Sequence, residues 1–361
     1  MKKLRVAFLG FAHVHVSLLA KDLARFPERA ELVGIADYQP CSPEEQTLRL
    51  DSIQQRGLFE GKIYKDYKEL LAQNIDLAVI TTDVKAHADA AEELLAQGIH
   101  VLLEKPMAMD MADALRIARA AEASTAEVMI NWPIAWFPAF RKAKALADAG
   151  AVGKVLRVQY RSPSTRGPFL PGKYTEEEMS KMWWYTAERG GGSICDYAGY
   201  GCVLTTWITG KTAKRVSGMK KNFFLPFSEV EDYSVFTIDF GDAIGLIEGS
   251  WSTMNNGEIP TGPVVYGTEG VIVADRFDPM VKVYKELRPY HPSPAPEEVY
   301  DTAEDPCETM AENVLAHLQE GKPLHEMLTL DFNMKAMTAF DAGRRSCESG
   351  QIEECRKERE E

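Results

Sequence analysis

Lys105 closes the run Gly98-Ile99-His100-Val101-Leu102-Leu103-Glu104-Lys105-Pro106. The run is apolar, partly β-branched and of the length of a fully buried strand. A charge pair at the carboxyl end of such a strand stands where open α/β sheets bind ligands. A lysine screened from water can have its pKa lowered and can exchange protons. On this stretch alone, a surface Glu–Lys pair beside a turn proline fits equally. A second chemical cluster is Gly190-Gly191-Gly192-Ser193-Ile194-Cys195-Asp196-Tyr197-Ala198-Gly199-Tyr200-Gly201. Its glycines let backbone approach a ligand closely. Asp196 and Tyr200 would share one face of a helix, and a carboxylate beside a phenol suits polyol binding and proton transfer. A helix start with an acid near its dipole and an inward aromatic is the alternative. Trp183-Trp184-Tyr185, just upstream, offers an aromatic wall for a sugar ring, or core packing.

The turn Gly10-Phe11-Ala12-His13-Val14-His15 occupies the place of a G-x-G-x-x-G loop, with only its first glycine kept. Ala12 still permits fairly close approach to a pyrophosphate, whereas His15 replaces the glycine that packs helix against strand. The strand–turn–helix context is right. Asp37 ends the next strand, where a carboxylate accepts from ribose hydroxyls and repels a 2′-phosphate. That favours NAD over NADP, with a solvated turn residue as the alternative. His13 and His15 do not read as a metal pair. Alternate positions on a turn converge poorly, and no acid or thiol stands near them in sequence. No metal is expected.

The elements that must position these residues follow from pattern. Leu4 to Leu9, Glu31 to Ala36, Ile75 to Thr81, Ile99 to Leu103 and Ala126 to Asn131 are strand-like. Helical stretches lie between them, from Val14 to Phe26, from His87 to Gln97 (closed by Gly98), and from Asp110 to Glu122. Ser42-Pro43-Glu44-Glu45 has the form of a capping box. Repeated strand–helix units predict a parallel sheet covered on both faces. After Trp132 the grammar changes. A helix from Ala135 to Ala149 leads to a strand from Val152 to Tyr160 and a loop from Pro163 to Gly172. Helix is expected from Gly192 to Gly210, then strands at Ala213–Leu225, Asp232–Phe240, Ala243–Thr253 and Val264–Ala274. A Pro-rich loop, Pro289 to Pro296, precedes helices at Pro306–Glu320 and Thr329–Ser349. Strands without intervening helices predict a mostly antiparallel sheet. The expected division is a dinucleotide-binding domain over 1–131, an α+β domain over 132–350, and a charged tail over 351–361.

Composition narrows the partners. The chain has 361 residues and a net charge of −13, which repels phosphate backbones and disfavours nucleic acid. No apolar run approaches the ~20 residues that span a bilayer, so no membrane partner is expected. The six cysteines contain no C-x-x-C pair and read as free thiols of a reducing compartment. A cytoplasmic protein acting on a small molecule is the expectation.

Together these residues resemble the Gfo/Idh/MocA family, which includes glucose–fructose oxidoreductase and inositol dehydrogenases. The likeness runs through Gly98–Pro106, Ala149–Val155, Gly190–Gly210, Gly249-Ser250-Trp251 and Tyr266–Gly270. It implies an α/β fold: an N-terminal Rossmann domain followed by an α+β domain with a large, mostly antiparallel open sheet. It implies NAD held by Gly10, Ala12, His13, Val14, Asp37, Thr81, Thr82, His87, Glu104, Lys105 and Asn131. It implies Lys105 as catalytic acid/base and Asp196 as the acid of the family's D-x-x-x-H motif. Tyr200 stands where inositol dehydrogenases carry histidine, as a proton relay. Lys105, Trp184, Asp196 and Tyr200 would face a carbohydrate-like substrate. Thr82-Asp83-Val84 and Trp132-Pro133 depart from the family pattern. The implied reaction moves a hydride between nicotinamide and a carbon of a sugar, polyol or sugar derivative. Glycoside cleavage with recycled NAD, and nucleotide sensing without catalysis, are the other family behaviours. A homodimer or homotetramer through the open sheet is also implied.

Overall fold

A computed structural model describes residues 2–38, 62–164, 167, 174–254, 259–285, 295–306 and 308–356. The Ser42–Glu45 capping box, Cys41, Cys307, most of the two predicted loops and the end of the charged tail lie outside the described residues. The chain divides into two compact units, and neither is contiguous in sequence. The first comprises Met1–Trp132, Ser180–Gly191 and Glu308–Asn333; the second comprises Pro133–Met179, Gly192–Cys307 and Met334–Glu361.

The first unit is a six-stranded sheet. Its strands are β1 (Leu4–Leu9), β2 (Ala30–Ala36), β3 (Lys62–Tyr64), β4 (Leu77–Ile80), β5 (His100–Glu104) and β6 (Val128–Asn131). They run in the order β3-β2-β1-β4-β5-β6, and every pair is parallel. β1, β4 and β5 are apolar because both faces are covered: Val6 to Leu9, Leu77 to Ile80 and Val101 to Leu103 are fully buried. Helices α1 (Val16–Ala24), α2 (Tyr67–Leu71), α3 (His87–Ala96) and α4 (Met111–Glu122) connect the strands. Asp110 caps α4 by accepting from the Asp113 amide at 3.0 Å. α1 begins two residues later than the pattern predicts, because His13 to His15 form a turn. The strand order reverses between β1 and β4, and the carboxyl ends flanking that reversal are where open α/β sheets bind ligands.

Two late segments join this first unit, where the sequence places them in the second domain. The helix Met310–Glu320 docks beside α1. Asp22 accepts from its first-turn amide Ala311 at 2.9 Å, and Arg29 reaches Gln319 at 2.9 Å and Glu320 at 2.6 Å. Contacts this far apart in sequence leave no local signal.

The second unit is built on a nine-stranded sheet. It contains α5 (Pro138–Asp148), β7 (Val155–Pro163), α6 (Gly199–Thr209), β8 (Arg215–Lys221), β9 (Tyr233–Asp239) and β10 (Ile244–Ser250). Next come β11 (Val264–Gly267), β12 (Val271–Val273), β13 (Met280–Tyr284), β14 (Glu298–Asp301) and β15 (Glu353–Glu354). The order is β14-β13-β12-β11-β7-β10-β9-β8-β15. Only the β10–β7 pair is parallel. β7 starts at Val155 rather than Val152, because Gly150 and Gly153 adopt positive φ in the turn before it. The predicted Val264–Ala274 strand is two strands joined by the Gly267–Gly270 turn. One sheet face is buried under α6. There Gly201 has no Cβ, and one would fall 2.3 Å from Ile247 Cγ2. Alternation puts Met219, Ile244 and Val299 on the other face, where they are exposed.

His317, on the docked helix, meets Glu127 at 2.8 Å and the Lys322 carbonyl at 2.7 Å. Burial alone would lower its pKa, but the hydrogen bonds to Glu127 and Lys322 outweigh it and raise the value. A raised histidine stabilises the fold below its unfolded pKa of about 6.5 and loses that effect as pH rises through the folded value. His317→Gln is therefore expected to cost about 0.5 kcal/mol near pH 5.5, a solvent-screened pair being worth no more. The difference should vanish above about pH 8. Urea unfolding of both proteins at the two pH values checks this.

Candidate functional site

The sequence-derived cofactor residues stand together at the carboxyl end of the first unit's sheet. Gly10 follows β1, Asp37 follows β2, Thr81 follows β4, Glu104 ends β5 with Lys105 directly after it, and Asn131 ends β6. Gly10 has φ +97°, and a Cβ there would fall 2.6 Å from the Thr82 amide nitrogen. Only glycine fits such a turn. Thr81 fixes it from the neighbouring strand, its hydroxyl donating to the Gly10 carbonyl at 2.8 Å. The His13 amide then donates to the Thr81 carbonyl at 3.0 Å, and Val14 leads into α1 with its carbonyl accepting from Ser17 Oγ at 3.2 Å.

Trp183 and Trp184 cover this loop, a contact that sequence separation conceals. The Trp183 indole donates to the Ala12 carbonyl at 2.9 Å. The Trp184 ring lies 5.1 Å from the His13 ring and 3.9 Å from Trp183. Trp184 is only 2% exposed. The sequence offers it as a substrate wall or as core, and here its ring packs against His13 and Trp183. Burial pushes the His13 pKa well below the usual histidine value, against the opposing pull of Glu104.

Glu104 is the hub. It is fully buried. Its Oε1 accepts from Asn131 Nδ2 at 2.6 Å, and its Oε2 accepts from the Lys105 amide at 3.0 Å. His15 Nδ1 lies 3.3 Å from both carboxylate oxygens. Burial would raise the carboxyl pKa. The electrostatic pull of the His13, His15 and Lys105 side chains and the hydrogen bond from His15 overcome that and hold it far below the ordinary carboxylate range. The carboxylate thus carries its charge inside the protein. The sequence objection to a His13–His15 pair, that no acid is near, fails here. β5 brings Glu104 to both rings across the sheet.

The segment after β4 departs from the family pattern for a visible reason. Asp83 caps the short turn after Thr82 by accepting from the Ala86 amide at 3.2 Å. It also pairs with Arg189, at 2.8 Å to Nε and 2.7 Å to an outer nitrogen. His87 Nδ1 donates to the Pro106 carbonyl at 3.1 Å, tying α3 to the turn that carries Lys105. At the β2 end, Tyr38 and Tyr67 both donate to Glu93 Oε2, at 3.0 and 3.3 Å. Neither Arg189 nor Glu93 is marked by any local motif.

The second unit carries Asp196 and Tyr200, so Lys105 belongs to one unit and its expected partners to the other. Asp196 does not sit on an ordinary α-helix. Ile194–Ala198 is a π turn that leads into α6, where Tyr200 lies in the first turn. Such wide turns recur at functional sites. Asp196 is buried, and its Oδ2 accepts from the Trp251 indole at 2.9 Å. Glu231, which sequence pattern did not single out, anchors the turn. Its Oε1 accepts from the Ile194 amide at 2.9 Å, and its carbonyl accepts from the Ser193 amide at 3.1 Å. Burial pushes the Glu231 carboxyl pKa up. Gly192 makes room for it, at φ +101° and with its Cβ position 2.3 Å from Glu231 Oε1.

Residues 4–132 match the description "Oxidoreductase family, NAD-binding Rossmann fold", and residues 140–273 match "GFO/IDH/MocA C-terminal domain". D-xylose 1-dehydrogenase (NADP(+)) of Hypocrea jecorina is 30% identical over 131 residues, which is 36% of this chain and 32% of that protein. Inositol 2-dehydrogenase of Salmonella typhimurium is 31% identical over 104 residues, 28% of this chain and 31% of that protein. The chain spans about a third of the length of these curated relatives. The WlbA dehydrogenase of Bordetella pertussis, solved with NADH and UDP-GlcNAcA, superposes with a TM-score of 0.74 at 19% identity. That match covers 98% of this chain and 99% of WlbA.

Trp251 is fully buried and supplies a donor to a buried carboxylate. Trp251→Phe is expected to cost about 1–3 kcal/mol, the penalty of removing that donor. Urea unfolding followed by circular dichroism measures it.

Proposed function

Because the chain belongs to the Gfo/Idh/MocA oxidoreductase family, we propose that it is an NAD-dependent dehydrogenase. Its substrate is a sugar, polyol or sugar derivative oxidised at a carbinol carbon. One observation carries this: Gly10, Asp37, Thr81, Glu104, Lys105 and Asn131 all stand at the carboxyl ends of one parallel sheet, on both sides of its reversal of order.

The residues fit a dinucleotide. The Gly10 turn leaves a backbone cradle that a side chain would fill. Ala12, His13 and Val14 carry it to the start of α1, where the helix dipole favours a pyrophosphate. Asp37 accepts from the adenosine ribose, and the nearby Tyr38–Glu93 pair adds a second carboxylate to that end of the sheet. Both disfavour a 2′-phosphate, which supports NAD over NADP. Thr82, His87 and Asn131 serve the nicotinamide side. NAD, when bound, supplies the hydride acceptor.

In this reading Lys105 takes the proton from the substrate hydroxyl during oxidation and returns it during reduction. Glu104 orients Lys105 through its backbone amide. Asp196 orients the substrate hydroxyls, and Tyr200 relays the proton. Trp251 and Glu231 position Asp196 and its π turn. A homodimer or homotetramer through the outer sheet face belongs to the reading, supported by the exposed Met219, Ile244 and Val299.

Lys105→Met is expected to lower kcat by about two to four orders of magnitude, the usual worth of general acid–base catalysis. NADH affinity should stay within about threefold, since the lysine acts on substrate. Steady-state rates on a panel of sugars and polyols, with parallel NADH titrations, check both; retained turnover would remove Lys105 from the chemistry. Asp37→Ser should shift the NADH-to-NADPH affinity ratio toward NADPH by about tenfold, or ~1.4 kcal/mol. An unchanged ratio would remove Asp37 from the ribose site.

A further inference from the structure

The loop after β1 and the end of β5 bring together two imidazoles and a carboxylate. One ligand atom from each of His13, His15 and Glu104 lies within 4.8 Å of the other two. His15 Nδ1 is 3.3 Å from both Glu104 oxygens, and His13 Nδ1 is 3.7 Å from Oε2. Ligands held at about 2.0–2.1 Å in a tetrahedral array stand roughly 3.3 Å from one another. The imidazole–carboxylate separations are close to those of a ligand set, and the two imidazole ligand atoms lie within 4.8 Å of each other.

His13 Nδ1 accepts the His15 backbone amide at 3.2 Å, so its single lone pair is engaged in the metal-free protein. A proton on His15 Nδ1 bridges His15 to Glu104. The opposite ring nitrogen, His13 Nε2, is buried without a hydrogen-bond partner among the described residues. The ring is placed by the pocket rather than by an alternative hydrogen bond. The set is closed apart from His15, which is 19% exposed and gives an entry path.

We propose that His13, His15 and Glu104 form a binding site for one divalent transition-metal ion of the zinc class. Two histidines and a glutamate are a known catalytic zinc set, and three protein ligands leave at least one position for water or a substrate oxygen. Asn131 holds the Glu104 carboxylate as an outer partner, the arrangement that orients metal ligands. Binding at His13 Nδ1 displaces the backbone amide of His15, because that nitrogen has one lone pair. The site does not depend on the proposed dehydrogenase activity.

The test uses the full chain without a polyhistidine tag, stripped with chelator, desalted and free of nucleotide. Co2+ is titrated while visible absorption is recorded, followed by competition with Zn2+. The expected result is one equivalent of Co2+ with the intense bands of four- or five-coordination, displaced by Zn2+. Zn2+ should also raise the thermal midpoint, as any ligand of the native state does. His15→Gln should weaken Co2+ binding by about 100-fold or more, a ligand mattering at least as much as its outer partners, and should abolish the Zn2+ effect on the midpoint. Absence of those bands in the wild-type chain, or equal Co2+ affinity in folded His15→Gln, overturns the proposal. If His15→Gln does not fold, the wild-type titration and its thermal shift decide alone. The Co2+ titration is read on the nucleotide-free wild-type chain and the NADH titration on the metal-free wild-type chain, so the two readings fail separately.

Discussion

A charged carboxylate buried at the end of a parallel strand organises the first unit. Glu104 is enclosed by protein on all sides, and an unpaired charge in that position would cost several kcal/mol. The surroundings meet that cost with Asn131 from β6, the Lys105 amide, and the imidazoles of the β1–α1 loop. Each partner is thereby placed relative to the others. The register of the sheet makes this possible, since Leu9 lies beside Ile80, Ile80 beside Leu103, and Glu104 beside Asn131. One interaction therefore fixes the loop, the lysine and the asparagine together. The tryptophan pair then seals the loop from its other side.

The second unit solves a similar problem with Glu231. There the buried carboxyl receives a backbone amide at the start of the π turn, and Trp251 reaches Asp196 from the end of β10. Glycine at 192 and 249 removes the side chains that would block these approaches. In both units a buried acid locates backbone and thereby aims the polar group beside it. The functional groups are carried on strand ends and a helix start, where a rigid scaffold can position them.

Strand ends were legible in the sequence because apolar runs stop abruptly on charged or turn residues. Gly10, Asp37 and Lys105 each follow such a run, and each stands at the carboxyl end of its strand. Asp110 was legible as a cap for the same local reason. What escaped was long-range. Glu231 lies 37 residues from the amide it accepts, and Arg189 lies 106 residues from Asp83. No spacing rule connects either pair. The π turn at Ile194–Ala198 has no compositional signature, so a simple helix was expected there. Strands β3 and β14 are only three and four residues long, which leaves little room for alternation to register. The packing of the Trp184 ring on His13 also spans 171 residues of chain and has no local signature. The domain boundary was drawn as a single cut because returning segments carry no mark of where they dock.

The central claim is that the carboxyl end of the six-stranded sheet is a dinucleotide site. Its most direct test is isothermal titration of NADH into the nucleotide-free wild-type chain. The account requires saturation at one equivalent per chain, with NADPH binding more weakly under the same conditions. Absence of a saturable heat with either nucleotide would contradict it, and would point first to Ala12 and His15, where the loop departs from the glycine pattern.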